Sequence, residues 1–110
     1  MEKTRIAVVS TDGIHVDEHF GRATRFLIYD PVANMTLVDN RTIVPLSVND
    51  PHHSFDAERF DRIAETLKDC RKVYMTKIGE VPAAKLKALG IEPEIYKGAI
   101  SHISGIGIVQ

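Results

Sequence analysis

The sequence predicts an α/β domain with a mixed five-stranded sheet and helices on its faces, and three observations lead to this prediction. Its 110 residues, 44% of them hydrophobic, suit one buried core, so we expect a single domain over residues 1–110. The first half contains β-rich runs separated by turn signals, which predicts antiparallel strands. The second half alternates helical periodicity with β-rich runs, which predicts parallel strands joined by helices.

Three strands are predicted in the first half, separated by one loop and one hairpin turn. The apolar run 6–9 lies between polar residues and is typical of a buried strand. Residues 14–21 contain two histidines and a glycine and are expected to form a loop. The run 24–29 ends at Asp30-Pro31, a turn signal, and a third strand is expected over 35–44. The short link between these two strands predicts a hairpin.

Two helices and two strands are predicted in the second half. Between residues 56 and 69, apolar side chains recur at helical spacing with charged residues between them, which predicts a helix with one buried face. A strand is expected over 72–78. A second helix is expected over 82–89, because this segment starts at a proline and stops at Gly90. The last strand is expected over 91–96.

The apolar faces of these elements predict the core. Cys70 ends the apolar stripe of the first helix, and we expect it to be a buried structural thiol. The tail, residues 98–110, fits no single element, because isoleucines at three-residue spacing favour a helix whereas Gly105 and Gly107 oppose a long one. The expected core consists of Phe60, Ile63, Leu67 and Leu86 packed with Ile6, Val8 and Ile28.

Composition narrows the class of protein. The net charge of −1, with histidine neutral, gives no sign of the basic patch that binds nucleic acid. No apolar run reaches the length of a membrane span or of a signal-peptide core. A single cysteine cannot form an intrachain disulfide. We therefore expect a cytoplasmic protein that binds neither nucleic acid nor membrane.

Histidine placement is the main indication of chemistry, because phosphate-binding loops, dinucleotide fingerprints and Cys-x-x-Cys pairs are missing. His19 stands in a polar loop two residues before Gly21, which permits unusual backbone geometry or a close approach. Imidazole is a common ligand of iron, copper and zinc, but a surface histidine is the alternative. The adjacent His52 and His53 form a weaker candidate pair or a solvated loop. The two remaining histidines, His15 and His102, stand alone and are expected to be surface residues.

Several segments resemble a known family. Residues 5–13 and 16–26 look like the opening of the dinitrogenase iron–molybdenum cofactor biosynthesis family, also known as the NifX and NifB C-terminal family. The His-Phe-Gly-x-Ala piece at 19–23 is the most specific part. Residues 67–70, 78–79 and 86–91 resemble the second half of the family in order and spacing, so the resemblance covers about residues 4–98.

The resemblance implies a ribonuclease-H-like three-layer fold without nuclease activity. It also implies a carrier or escort, not an enzyme, that holds an iron–sulfur or iron–molybdenum-type cluster transiently during metallocofactor assembly. Assembly proteins are then the expected partners, and the chain is expected to be a monomer or weak homodimer. His19 is the implied cluster ligand, and Arg22, Arg25 and Lys77 are candidates for positive charge near an anionic cluster. The expected binding residues are His19, Phe20, Gly21, Arg22, Ile78 and Gly79.

Two other functions fit the residues. The first is a protein–protein interaction or regulatory module without cargo, in which the histidines are incidental. The second is a metal-dependent hydrolase of the same fold. A hydrolase would need acidic metal ligands on the central strands, and residues 6–10 contain none. Fold alone does not decide between these functions.

Overall fold

The computed structural model describes residues 4–32, 36–46 and 57–103. These residues form seven strands and two full helices, and a further helical turn occupies residues 100–103. In chain order the elements are β1 (Arg5–Val8), β2 (His15–Val16), β3 (Arg25–Asp30), β4 (Thr36–Thr42), α1 (Ala57–Thr66), β5 (Cys70–Met75), α2 (Glu80–Ala88), β6 (Glu92–Ile95) and β7 (Gly98–Ala99).

The main sheet has five strands in the order β4-β3-β1-β5-β6. β1 pairs antiparallel with β3, and β3 pairs antiparallel with β4. β1 pairs parallel with β5, and β5 pairs parallel with β6. The mixed five-stranded sheet predicted from the sequence is therefore confirmed, with the hairpin strands on one side of β1 and the strands joined by helices on the other.

The two faces of the sheet bury two separate apolar clusters, because successive side chains of a strand point to opposite faces. Ala7 and Ile28 lie in the larger cluster with Phe60 of α1 and Leu86 of α2. Ile6 and Val8 are buried too, but they belong to the cluster on the opposite face. The prediction that they pack with the helices was wrong, since it did not assign alternate residues of β1 to different faces.

The second face is covered by two short strands that the sequence did not predict and by the helical turn at 100–103, which matches the helix alternative for the tail. Val16 of β2 packs there with Ile100 and Ile103 of the helical turn. β2 pairs antiparallel with β7 in a separate two-stranded sheet, joining His15 to Ala99 and Val16 to Gly98. The segment 14–21 was predicted to be only a loop. A two-residue strand has no detectable period, and its partner lies near the other end of the chain.

Two helix boundaries differ from the prediction. α1 ends at Thr66, and Cys70 is the first residue of β5, where it is fully buried. α2 starts at Glu80, so Pro82 is its third residue; it is tolerated because N–H groups in the first turn have no partner within the helix. Gly90 follows α2 with φ of 80°, as its predicted stop position requires. Among the described residues, no helix combines the length and apolar character needed to cross a bilayer.

Candidate functional site

His19 lies at the carboxyl end of β5. It forms an isolated parallel bridge with Lys77, in the segment that continues this strand. The Thr76 N–H donates to the Glu18 carbonyl at 3.0 Å, so residues 18–19 run beside 76–77. The His19 N–H donates to the Glu18 carboxylate at 2.8 Å, and the residue is partly buried. Ligands of α/β sheets bind at the carboxyl ends of parallel strands, and His19 is placed there.

Phe20 anchors this loop to the core. Its ring is fully buried and lies 5.8 Å from the Phe26 ring, centroid to centroid. Its N–H donates to the Lys77 carbonyl at 2.9 Å. Both the side chain and the backbone N–H of Phe20 are thus engaged within the protein. Among the expected binding residues, Phe20 fixes the position of His19 rather than offering a surface of its own.

Gly21 and Arg22 complete a short 3-10 turn, Phe20–Arg22, that follows His19. The Arg22 N–H donates to the His19 carbonyl at 3.1 Å, and its side chain is exposed. The glycines with positive φ among the described residues are Gly13, Gly90 and Gly98. Gly21 therefore does not adopt a left-handed backbone conformation. The sequence suggested either unusual backbone geometry or close approach of another group at this glycine, and only the second role remains a prediction.

Ile78 and Gly79 adjoin the same loop through their neighbour Lys77. Ile78 is partly buried against the main core, whereas Gly79 is exposed and forms the N-cap of α2. No side chain caps this helix start. A Cβ atom built on Gly79 would meet Pro82 at 3.6 Å, an ordinary contact, so alanine fits here. The two predicted binding segments, 19–22 and 78–79, are brought together in the fold.

The loop after β1 lies beside this region and is organised by two aspartates. Asp12 accepts hydrogen bonds from the backbone N–H groups of Ile14 and His15, both at 2.8 Å. Asp17 accepts from the Thr11 N–H at 2.8 Å and from its hydroxyl at 2.6 Å. These bonds fix the loop by side-chain contacts that no sequence pattern predicted.

Three cations were expected near the cargo, and they occupy different settings. Arg22 and Lys77 are exposed. Arg25 is partly buried, and its guanidinium donates to the backbone carbonyls of Ser10 and Thr11 at 3.4 and 3.3 Å. Arg25 therefore helps to hold the loop after β1, while the other two are accessible to an anion.

Metal-ligating side chains do not cluster in the described part of the chain. No group of three or more His, Cys, Asp or Glu side chains is placed to hold a metal ion there. Burial raises the pKa of the Cys70 thiol to about 12, so it stays neutral and is a poor ligand. His52 and His53 lie outside the described residues. His19 is therefore the one sequence-predicted metal ligand that the structure places beside the other predicted binding residues.

A second polar feature shares no residue with the His19 loop. A groove of about 460 Å³ is lined by residues from β4 and from the end of α1. Arg41 and Asp69 form a two-point ion pair on its wall, with N–O distances of 2.7 and 2.9 Å. The charged side chains on its wall are paired within the chain, Arg41 with Asp69 and Lys68 with Glu65.

The fold and the loop define a small α/β domain with a histidine at the carboxyl ends of its parallel strands. The family described as dinitrogenase iron–molybdenum cofactor matches residues 2–105. The chain belongs to this family.

Named relatives agree with this assignment. The FeMo cofactor biosynthesis protein NifB of Chlorobaculum tepidum is 35% identical over 100 residues, which cover 88% of this chain and 22% of NifB. Protein NifX of Klebsiella pneumoniae is 31% identical over 91 residues, which cover 82% of this chain and 54% of NifX. The chain thus spans less than two thirds of the length of either relative.

A solved structure supports the fold. The apo form of the orange protein from Desulfovibrio gigas superposes with a TM-score of 0.64 at 19% identity, covering 96% of this chain and 87% of that protein. At this identity the likeness concerns the fold alone. It agrees with the mixed α/β architecture described above.

Proposed function

We propose that this chain binds an iron–sulfur or iron–molybdenum–sulfur cluster, or a precursor, and passes it on as a carrier without catalysing a reaction. The observation that supports this most is the position of His19, which is partly exposed and fixed beside Lys77 at the carboxyl end of β5. The NifB relative is named for FeMo cofactor biosynthesis, and membership of its family supports the same cargo. Proteins that assemble metal cofactors are then the expected partners.

The donor set suits transient holding. A cluster held by many thiolates would be released slowly, whereas one imidazole and a few hydrogen bonds allow exchange. The first turn of α2 begins at Gly79 without a side-chain cap, which leaves the N–H groups of Glu80 and Val81 uncapped, whereas Pro82 has none. Arg22 and Lys77 add exposed positive charge. Each contribution is weak alone, which fits a protein that must release what it binds.

The three-layer description is part of this proposal. The strand order places β1 between an antiparallel and a parallel neighbour, and apolar side chains cover both faces of the sheet. This arrangement supports the ribonuclease-H-like label. For a hydrolase of that fold, acidic ligands on β1 would be needed, and Arg5–Val8 has none.

The test is an anaerobic titration of the protein at pH 7.5 with an iron–sulfur cluster assembled from ferric iron, ferrous iron and sulfide, monitored by visible absorption. We expect His19→Ala to lower affinity at least 10–100-fold, the range seen when groups behind a metal ligand are removed. His102→Ala, an exposed histidine on the helical turn, is the matched control and should bind like the wild type. Equal affinity in all three proteins would exclude His19 as the ligand.

Gly79→Ala examines the second segment. The added methyl group fits the folded chain, so a loss of cluster affinity in this variant would report contact between the cargo and the start of α2. Wild-type protein that binds no cluster from iron and sulfide, or from a molybdenum-containing cluster, would instead favour an interaction module without cargo.

A further inference from the structure

His15 is oriented by a carboxylate, although it was expected to be an ordinary surface residue. Its Nδ1 lies 2.8 Å from Asp12 Oδ2. The other oxygen of Asp12 accepts the N–H groups of Ile14 and His15 and the hydroxyl of the buried Ser10. Three hydrogen bonds thus fix the position of Asp12, and Asp12 in turn fixes the orientation of the imidazole ring.

The hydrogen bonds decide which ring nitrogen is free. Asp12 accepts three hydrogen bonds on one oxygen, and a carboxylate is ionised at neutral pH, so the oxygen that faces the His15 ring is an acceptor. The nitrogen that faces it, Nδ1, must then be the donor. In the neutral ring this leaves the lone pair of Nε2 available.

The backbone of His15 is also fixed. It pairs with Ala99 across the two-stranded sheet, and the Ile100 N–H donates to the Ile14 carbonyl at 2.8 Å. The side chain is nevertheless 51% exposed. Histidines that ligate metals usually donate their other ring N–H to a carboxylate or carbonyl. His15 has this arrangement before any metal binds, because Asp12 fixes its tautomer, β7 fixes its backbone and its side chain is half exposed.

We propose that His15 is a second imidazole ligand of the cargo, binding metal through Nε2, with Asp12 as its positioning residue. This rests on the proposed function, since the cargo is the one proposed for His19, four residues further along the chain from His15 of β2. Four residues of extended chain separate their Cα atoms by at most about 14 Å. A cluster contains several metal ions, so the two rings can bind different ions of one cargo.

The first test examines the tautomer in the protein without cargo. Ring ¹⁵N chemical shifts should show His15 protonated at Nδ1 and bare at Nε2 when the ring is neutral. Asp12→Asn should reverse this, because the Asn amide donates to Nδ1 while its oxygen keeps the backbone bonds. A neutral His15 protonated at Nε2 in the wild type would overturn the proposal.

The second test is the iron–sulfide cluster titration at pH 7.5. We expect His15→Gln and Asp12→Asn each to weaken binding about 10-fold or more with His19 intact, and His102→Gln to bind like the wild type. If His19→Ala weakens binding but His15→Gln does not, this inference fails and the proposed function stands. If the wild type binds neither the iron–sulfide cluster nor a molybdenum-containing cluster, both fail. Thermal unfolding of each variant shows whether it is folded. If Asp12→Asn does not fold, His15→Gln still tests the proposal, because His15 is exposed and its replacement should leave the fold intact.

Discussion

Arg41 of β4 binds Asp69 through its two terminal guanidinium nitrogens, Nη1 to Oδ1 at 2.7 Å and Nη2 to Oδ2 at 2.9 Å. Nη1 also donates to the Thr66 carbonyl at 2.7 Å, at the end of α1. This one side chain therefore ties an edge strand of the sheet to the turn that leads into β5. The pairing holds the pKa of Asp69 at about 2 and raises that of Arg41 above its usual range.

Asp69→Asn should lower stability in a pH-dependent way. The pKa of Asp69 is lowered from its ordinary value near 3.8 to about 2. The ion pair therefore adds its full contribution to the free energy of unfolding above about pH 4, and this contribution is lost as the pH falls towards 2. The carboxylate is 38% exposed, so solvent screens the ion pair, and we expect a loss of about 1 kcal/mol at pH 7. Urea unfolding at pH 7, 4 and 2.5 should show the two proteins converging in acid, whereas a constant difference would contradict the assignment. Asp61→Asn, on the exposed side of α1, is the control.

Leu67→Ala should destabilise the protein by about 2–5 kcal/mol, because Leu67 is fully buried in the larger core cluster and its removal leaves a cavity. Leu89, which is 49% exposed, provides the matched leucine. Leu89→Ala should change stability by no more than about 0.5 kcal/mol. Equal denaturant midpoints for the two variants would show that the segment after α1 does not pack as described.

Cys70 should resist alkylation in the native protein. Its thiol is buried, and burial raises its pKa to about 12, with the Asp69 charge adding to the effect. The thiolate is the reactive form, so iodoacetamide at pH 8 should react slowly with the folded chain and rapidly in guanidinium. Addition of cargo should leave the native rate unchanged. Rapid native modification that cargo blocks would make Cys70 a ligand after all.

Gly98→Ala should cost more than Gly79→Ala. Gly98 has φ of 149°, and a Cβ atom there would lie 3.1 Å from the Tyr96 hydroxyl oxygen. We expect a loss of about 1–3 kcal/mol. At Gly79 alanine fits, and the less favourable helix cap should cost under about 1 kcal/mol. Thermal unfolding compares the two, and equal losses would mean that the positive φ at Gly98 does not penalise alanine.

Local sequence patterns were sufficient for much of the fold. The stripe containing Phe60 and Ile63 predicted a helix, and α1 is observed at 57–66. Alternation of short runs and turns predicted the mixed sheet. The predicted helix extended too far, to residue 69, because the helical spacing of apolar residues continues past the end of α1 to Cys70, the first residue of β5.

The site was harder to predict, because it depends on contacts between distant segments. The sequence placed His19 in a loop, but the bridge to Lys77 arises only when β1 and β5 pair. The bond between Asp12 and His15 is local in sequence, yet no periodicity indicates it. The roles assigned to His19, Arg22, Ile78 and Gly79 in binding cargo stay predictions.

The pairing of His15 with Ala99 has a consequence for how the chain matures on the ribosome. Synthesis proceeds from the amino end, so β2, which contains His15, leaves the ribosome long before its partner strand β7. Until Gly98 and Ala99 have left the exit tunnel, β2 has no neighbour, and Val16 lacks the cover of Ile100 and Ile103. The segment that carries His15 and His19 therefore cannot complete its packing until β7 and the helical turn at 100–103 have been synthesised and have docked.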